Sequence, residues 1–68
     1  MDEISKKLGQ NIKRIREQKG MTQGDICRAL NLDRGYVSSV ESGKRNPTLS
    51  TLKKLADALK IPVDELLK

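Results

Sequence analysis

Arg34 opens a run, Arg34-Gly35-Tyr36-Val37-Ser38-Ser39, whose side chains can hydrogen-bond a polyanion and the bases it carries. Arginine's planar fork donates two parallel hydrogen bonds to O6 and N7 of a guanine. Ser38 follows four residues later, one helical turn on, with Ser39 beside it, and either hydroxyl can donate or accept at a base edge or a phosphate. Gly35 brings no side chain, so one base contact is either missing there or replaced by close backbone approach. Tyr36 joins a ring that can pack on a neighbouring helix to a hydroxyl that can reach a phosphate or the edge of a groove. Gln23 upstream and Lys44, Arg45 and Asn46 downstream add further hydrogen-bonding and cationic side chains.

Other chemistries are poorly supplied. The 68 residues include no histidine and one cysteine, Cys27, so no zinc set, internal disulfide or nucleophile-and-base pair can be assembled. No enzyme activity, cofactor or metal is expected. Fourteen Lys and Arg against nine Asp and Glu give a net charge of +5 and a pI near 9.7, which suits a polyanionic partner. Tyr36 is the whole aromatic inventory, whereas binders of single strands and of RNA stack bases on several rings, so duplex DNA is the expected polyanion. Apolar residues never run beyond two in succession, and no apolar segment follows Met1. Neither a membrane span nor a signal peptide is expected, and the expected compartment is the cytoplasm.

These residues need elements to hold them, and the apolar spacing predicts helices throughout. Ile4, Leu8, Ile12 and Ile15 form the stripe of a first helix that Gly20 ends. Thr22 caps a second, with Asp25 in its first turn and Ile26, Ala29 and Leu30 on its buried face. Asn31, Leu32 and Asp33 make a brief connection, Asp33 caps a third helix with Val37 and Val40 inward, and Gly43 stops it in the left-handed conformation. After a basic loop over residues 42–47, Thr48 caps a fourth helix with Leu49, Leu52, Leu55, Ala56 and Leu59 on its inner face, ended by Pro62. Val63, Leu66 and Leu67 mark a last turn or two. The reading is all-α, five helices in a single domain over residues 1–68. Two short helices within residues about 22–42, joined so briefly, must cross at a large angle, which is helix-turn-helix geometry. The second can then enter a major groove with its N-terminal residues toward base edges.

From Met21 to Leu67 the chain resembles the lambda-repressor-like (Cro/CI, or XRE) domains, and with the first helix the likeness spans essentially the whole sequence. Met21-Thr22-Gln23, the run NLDRGYVSSVESG over residues 31–43, and Arg45-Asn46-Pro47-Thr48 carry it. Within that family NLDRxY followed by S, E and RN looks most like the controller proteins of restriction-modification systems.

The resemblance implies a compact five-helix DNA-binding domain that regulates transcription. It makes Arg34 the base reader, with Ser38 at the usual family serine, Ser39 beside it, and Gly35 departing from the common Thr or Ser. It places Tyr36 on DNA, Gln23 on a phosphate, and Lys44, Arg45 and Asn46 on the sugar-phosphate backbone. Arg16 and Glu41 match a buried salt bridge of related phage repressors, and Cys27 stands where the family prefers Ala in a tight helix contact. Family members dimerise, so two recognition helices would face half-sites about 34–36 Å apart in a near-palindrome. Ile61, Val63, Leu66 and Leu67 are the expected homodimer surface. Contact with RNA polymerase would add activation to repression, and no small molecule is expected. An antitoxin or another protein-interaction module is the alternative use of the same fold.

Overall fold

The computed structural model describes residues 3–68. Its helices are α1 (Glu3–Gln18), α2 (Gln23–Leu30), α3 (Arg34–Glu41), α4 (Leu49–Leu59) and α5 (Val63–Leu66), and the described residues contain no strand. Each boundary follows from local chemistry. Gly20 sits at φ +71° while the Met21 N–H reaches back to the Arg16 carbonyl at 3.0 Å, closing α1. Thr22 and Asp25 form a reciprocal capping box at the start of α2. Asn31 then takes the left-handed conformation at φ 57°, and the Leu32 N–H bonds the Cys27 carbonyl at 3.0 Å. This stop uses asparagine where glycine is commoner. It leaves one residue, Leu32, before the Asp33 cap of α3.

The core is aliphatic and drawn from every helix: Leu8, Ile12 and Ile15, Ile26, Val37 and Val40, Leu52, Leu55, Ala56 and Leu59, and Leu66. Met21, Cys27, Leu30, Leu32, Tyr36, Ala58, Ile61 and Val63 pack against it from its edge.

Five sequence expectations need correction. Ile4 is 76% exposed, because α5 is a single turn and covers α1 only as far as Leu8, leaving Ile4 and Leu67 on an open groove. Leu49 is 86% exposed: the buried stripe of α4 starts one turn later, at Leu52. Ala29 is exposed, since the inner face of α2 turns through Ile26, Cys27 and Leu30 instead. Leu66, expected on a dimer surface, is fully buried, as α5 folds back on α1 and α4 and its Leu66 carbonyl accepts a buried 2.9 Å hydrogen bond from Asn11 Nδ2. Finally, α4 stops before Pro62, at a left-handed Lys60 (φ 59°) with the Ile61 N–H on the Ala56 carbonyl, and Pro62 instead leads into α5.

Candidate nucleic-acid interface

The site is built around α3. Val37, Val40 and Glu41 are buried, so the opposite side of the helix, with Arg34, Gly35 and Ser38, faces solvent. At its N-terminus Asp33 Oδ1 accepts the Tyr36 N–H at 2.8 Å, which closes the first turn and places Arg34 at its free end. Gly35 is held by no close packing: a Cβ there would meet only Asp33 Oδ1, at 3.3 Å. The two serines separate. Ser38 is exposed and lies with Lys13, Gln23 and Ser42 along one flank, whereas Ser39 is half-buried on the other flank with Tyr36 and Arg45.

Tyr36 packs its ring against the core edge, and the Arg45 guanidinium lies over that ring at 5.4 Å from its centroid. This cation–π contact fastens the basic loop to the side of α3. Asn46 accepts a hydrogen bond from the buried Ser5 hydroxyl of α1, a second fastening of the same loop. Lys44 and Arg45 are exposed. Gly43 lets the loop start close to α1: it adopts φ +81°, and a Cβ on it would stand 3.0 Å from the Lys6 backbone.

The far end of α3 is tied into the interior. Glu41 accepts from Arg16 Nε at 2.7 Å and from the same guanidinium at 3.1 Å, with both side chains buried. The hydrogen bond it donates to Glu41 raises the Arg16 pKa further, so the guanidinium stays charged. Its remaining nitrogen donates to the Met21 carbonyl at 2.7 Å. Gln23 Nε2 donates to Glu41 at 3.0 Å, so one carboxylate joins α1, α2 and α3. Gly9 of α1 makes this junction possible, since a Cβ there would fall 2.4 Å from the Val40 carbonyl oxygen and 2.5 Å from that of Glu41.

Among the described residues no group of three or more His, Cys, Asp and Glu side chains is placed to hold a metal ion, and no helix is long and apolar enough to cross a membrane. What α2 and α3 present is an exposed helix end flanked by cations, in the geometry by which a short helix reads a groove. Residues 12–66 match the family described as Helix-turn-helix.

The chain belongs to this family, in its lambda-repressor-like, Cro/CI-type branch of DNA-binding transcription regulators.

Its helix-turn-helix relatives include controller proteins. Control protein C.MunI of Mycoplasma sp is 37% identical over 67 residues, covering 97% of this chain and 90% of that protein. The restriction-modification controller protein C.AhdI from Aeromonas hydrophila, known from a crystal structure, aligns at a TM-score of 0.85 and 43% identity over 90% of this chain and 92% of that one. The controller protein C.Esp1396I, solved as a tetramer in complex with its natural 35 base-pair operator, aligns over 100% of both chains at 34% identity and a TM-score of 0.83. Sequence reasoning missed Gly9, Ser5 and Asn11. Of these only Gly9 carried a signal, a glycine inside an apolar helical stripe marking close backbone approach.

Proposed function

We propose that this domain acts in the cytoplasm as a homodimer on a near-palindromic operator, one recognition helix in each of two major grooves about one turn apart. The observation that carries this reading is the division of α3, whose inner face is sealed into the core while Arg34 and Gly35 at its capped N-terminus and Ser38 one turn on are exposed. Arg34 reads a guanine by its fork, and Ser38 and Ser39 offer hydroxyls to the edges of the groove. The missing side chain at Gly35 leaves the helix backbone room to approach the duplex. Tyr36 and Arg45 act as a stacked unit on the backbone side, with Lys44 and Asn46 in the same loop, and Gln23 donates to a phosphate through the amide hydrogen that Glu41 leaves free. The two copies meet through the exposed Leu67 and the half-buried Ile61 and Val63, and the exposed Ile4, which shares a groove with Leu67, adds apolar surface.

The likeness to controller proteins supports regulation of a restriction-modification operon, including the protein's own promoter, by blocking polymerase or by touching it. Selection of bound duplexes from a random pool tests the operator reading: a palindrome with half-sites about one turn apart is the expected product. Failure to enrich any palindrome at moderate salt overturns it in favour of a protein-interaction module. Neighbouring genes for a methyltransferase and an endonuclease are the expected context for the controller assignment, and their absence would withdraw it.

A further inference from the structure

The last turn of the fold is too short to hold its own direction. α5 has four residues; the carbonyls that end a helix have no partner within it, and a helix of this length stands only where tertiary contacts fix it. Its Leu66 is fully buried, whereas Leu67, the next residue, is 55% exposed and carries the apolar surface assigned above to the second copy. The peptide that joins these two leucines is held at both ends. The Leu67 N–H donates to the Asp64 carbonyl at 3.1 Å, a bond within the turn that moves with it. The Leu66 carbonyl accepts from Asn11 Nδ2 at 2.9 Å, a bond from α1, 55 positions away, that ties the turn to the body of the domain.

Asn11 is buried beside Ile12, where an amide is costly unless both of its ends are satisfied. Its other end is also occupied: Arg14, one turn on, donates to Asn11 Oδ1 at 3.1 Å. A guanidinium only donates, so it keeps the amide oxygen on its own side and turns the amide nitrogen toward α5. A fixed peptide plane sets φ of the residue that follows, here −99° at Leu67, and with it the direction in which that side chain leaves the backbone. Without the bond from α1, Leu67 is free to turn toward Ile4 and Leu8, which line the groove beside it. We propose that Asn11 is a positioning residue for self-association, holding the Leu66–Leu67 peptide so that Leu67 is presented outward before a second copy arrives. Ordering the contact in advance lowers what association must spend on it. This role rests on the homodimer reading above and names the residue that prepares its surface.

Sedimentation equilibrium of the full chain gives the dimer dissociation constant of the wild type, Asn11→Ala, Asn11→Asp, Leu67→Ser and the double variant of Asn11→Ala with Leu67→Ser. Helix content is followed by circular dichroism over the same dilution series. In either Asn11 variant two tails must be ordered on association, so the constant should rise about tenfold or more while helix content stays at the wild-type level. Asn11→Asp keeps the side-chain size and the acceptor for Arg14 but removes the donor to Leu66. Because Asn11 acts through Leu67, the double variant should dissociate no more readily than Leu67→Ser. Losses that multiply overturn the role, as does a wild-type constant in either Asn11 variant. A fall in helix content of both Asn11 variants overturns it by making Asn11 a residue of the fold alone. Weakening by Leu67→Ser without weakening by the Asn11 variants removes the positioning role and leaves the dimer surface standing. If Leu67→Ser dimerises like the wild type, or the wild type does not dimerise, the dimer surface and the positioning role fall together.

Discussion

The two ends of the recognition helix are built on opposite principles. At its C-terminal end Glu41 is buried in a three-helix junction, Gly9 brings the α1 backbone onto the last carbonyls, and the chain leaves through Gly43 against Lys6. At its N-terminal end one capping hydrogen bond, donated by the Tyr36 N–H to Asp33, closes the turn, and Arg34 and Gly35 are exposed. A reading head, the role proposed for Arg34, must be accessible, so it cannot be held by burial. Its aim is set from the other end, where packing and charge fix the helix axis. Stability and the proposed recognition are thus separated along eight residues.

Breaking the buried end should have the largest effect. Glu41→Ala strands the Arg16 guanidinium and removes the Gln23 acceptor, and a loss of about 3–5 kcal/mol of unfolding free energy is expected in urea denaturation. A loss near zero would mean that the pair does not anchor α3. Gly9→Ala comes next: its methyl would overlap backbone that cannot swing aside, so about 1–3 kcal/mol should be lost as α1 and α3 are forced apart.

At the exposed end the expected loss is of another kind. Arg34→Ala should leave stability within about 0.5 kcal/mol, as at other exposed positions, while relaxing preference at one base position per half-site by roughly 1–3 kcal/mol. Lys44→Ala should instead weaken all duplexes equally, which binding to a panel of single-base operator variants would distinguish. Equal weakening everywhere by Arg34→Ala would remove it as a reader. Asp33→Ala takes away the cap and should lower stability by about 1 kcal/mol, read as a shift in the denaturation midpoint.

The smallest effect concerns α2, whose first residue, Gln23, joins the buried junction. The Thr22 backbone N–H, together with the Thr22 hydroxyl and Arg28, holds the Asp25 carboxyl below its ordinary pKa of 3.8. A lowered folded-state pKa contributes stability that is complete above the unfolded value and is lost as pH falls through the folded one. Melting temperatures followed below about pH 4 should therefore drop more steeply for the wild type than for Asp25→Asn. Parallel curves would show that the capping box carries no proton-linked stability.

Much of this organisation was legible from local chemistry. Caps and stops at Thr22, Asp33, Thr48, Gly20 and Gly43 depend on residues within a turn of one another, and periodic aliphatics mark a helix wherever it packs. The errors lie where tertiary contact decides. Ile4 and Leu49 continue their stripes in perfect period yet project past the core, because period says which face a residue takes and nothing about where the opposing helix ends. Leu66 and Leu67 are adjacent and equally apolar, yet they point to different sides of the last turn, and only the packing of α5 on α1 and α4 decides which of them is buried.

The sequence by itself determined five helices, their order and the capped start of the recognition helix with Arg34 at its head, since each depends on short-range spacing and backbone geometry. The resemblance to phage repressors supplied the pairing of Arg16 with Glu41. Only the tertiary structure decided what stands across from what: Gly9 against the end of α3, Gln23 on Glu41, and Arg45 over Tyr36. Those contacts join residues from 9 to 32 positions apart, with partners brought into reach only by the folding of α1, α2 and the basic loop around α3.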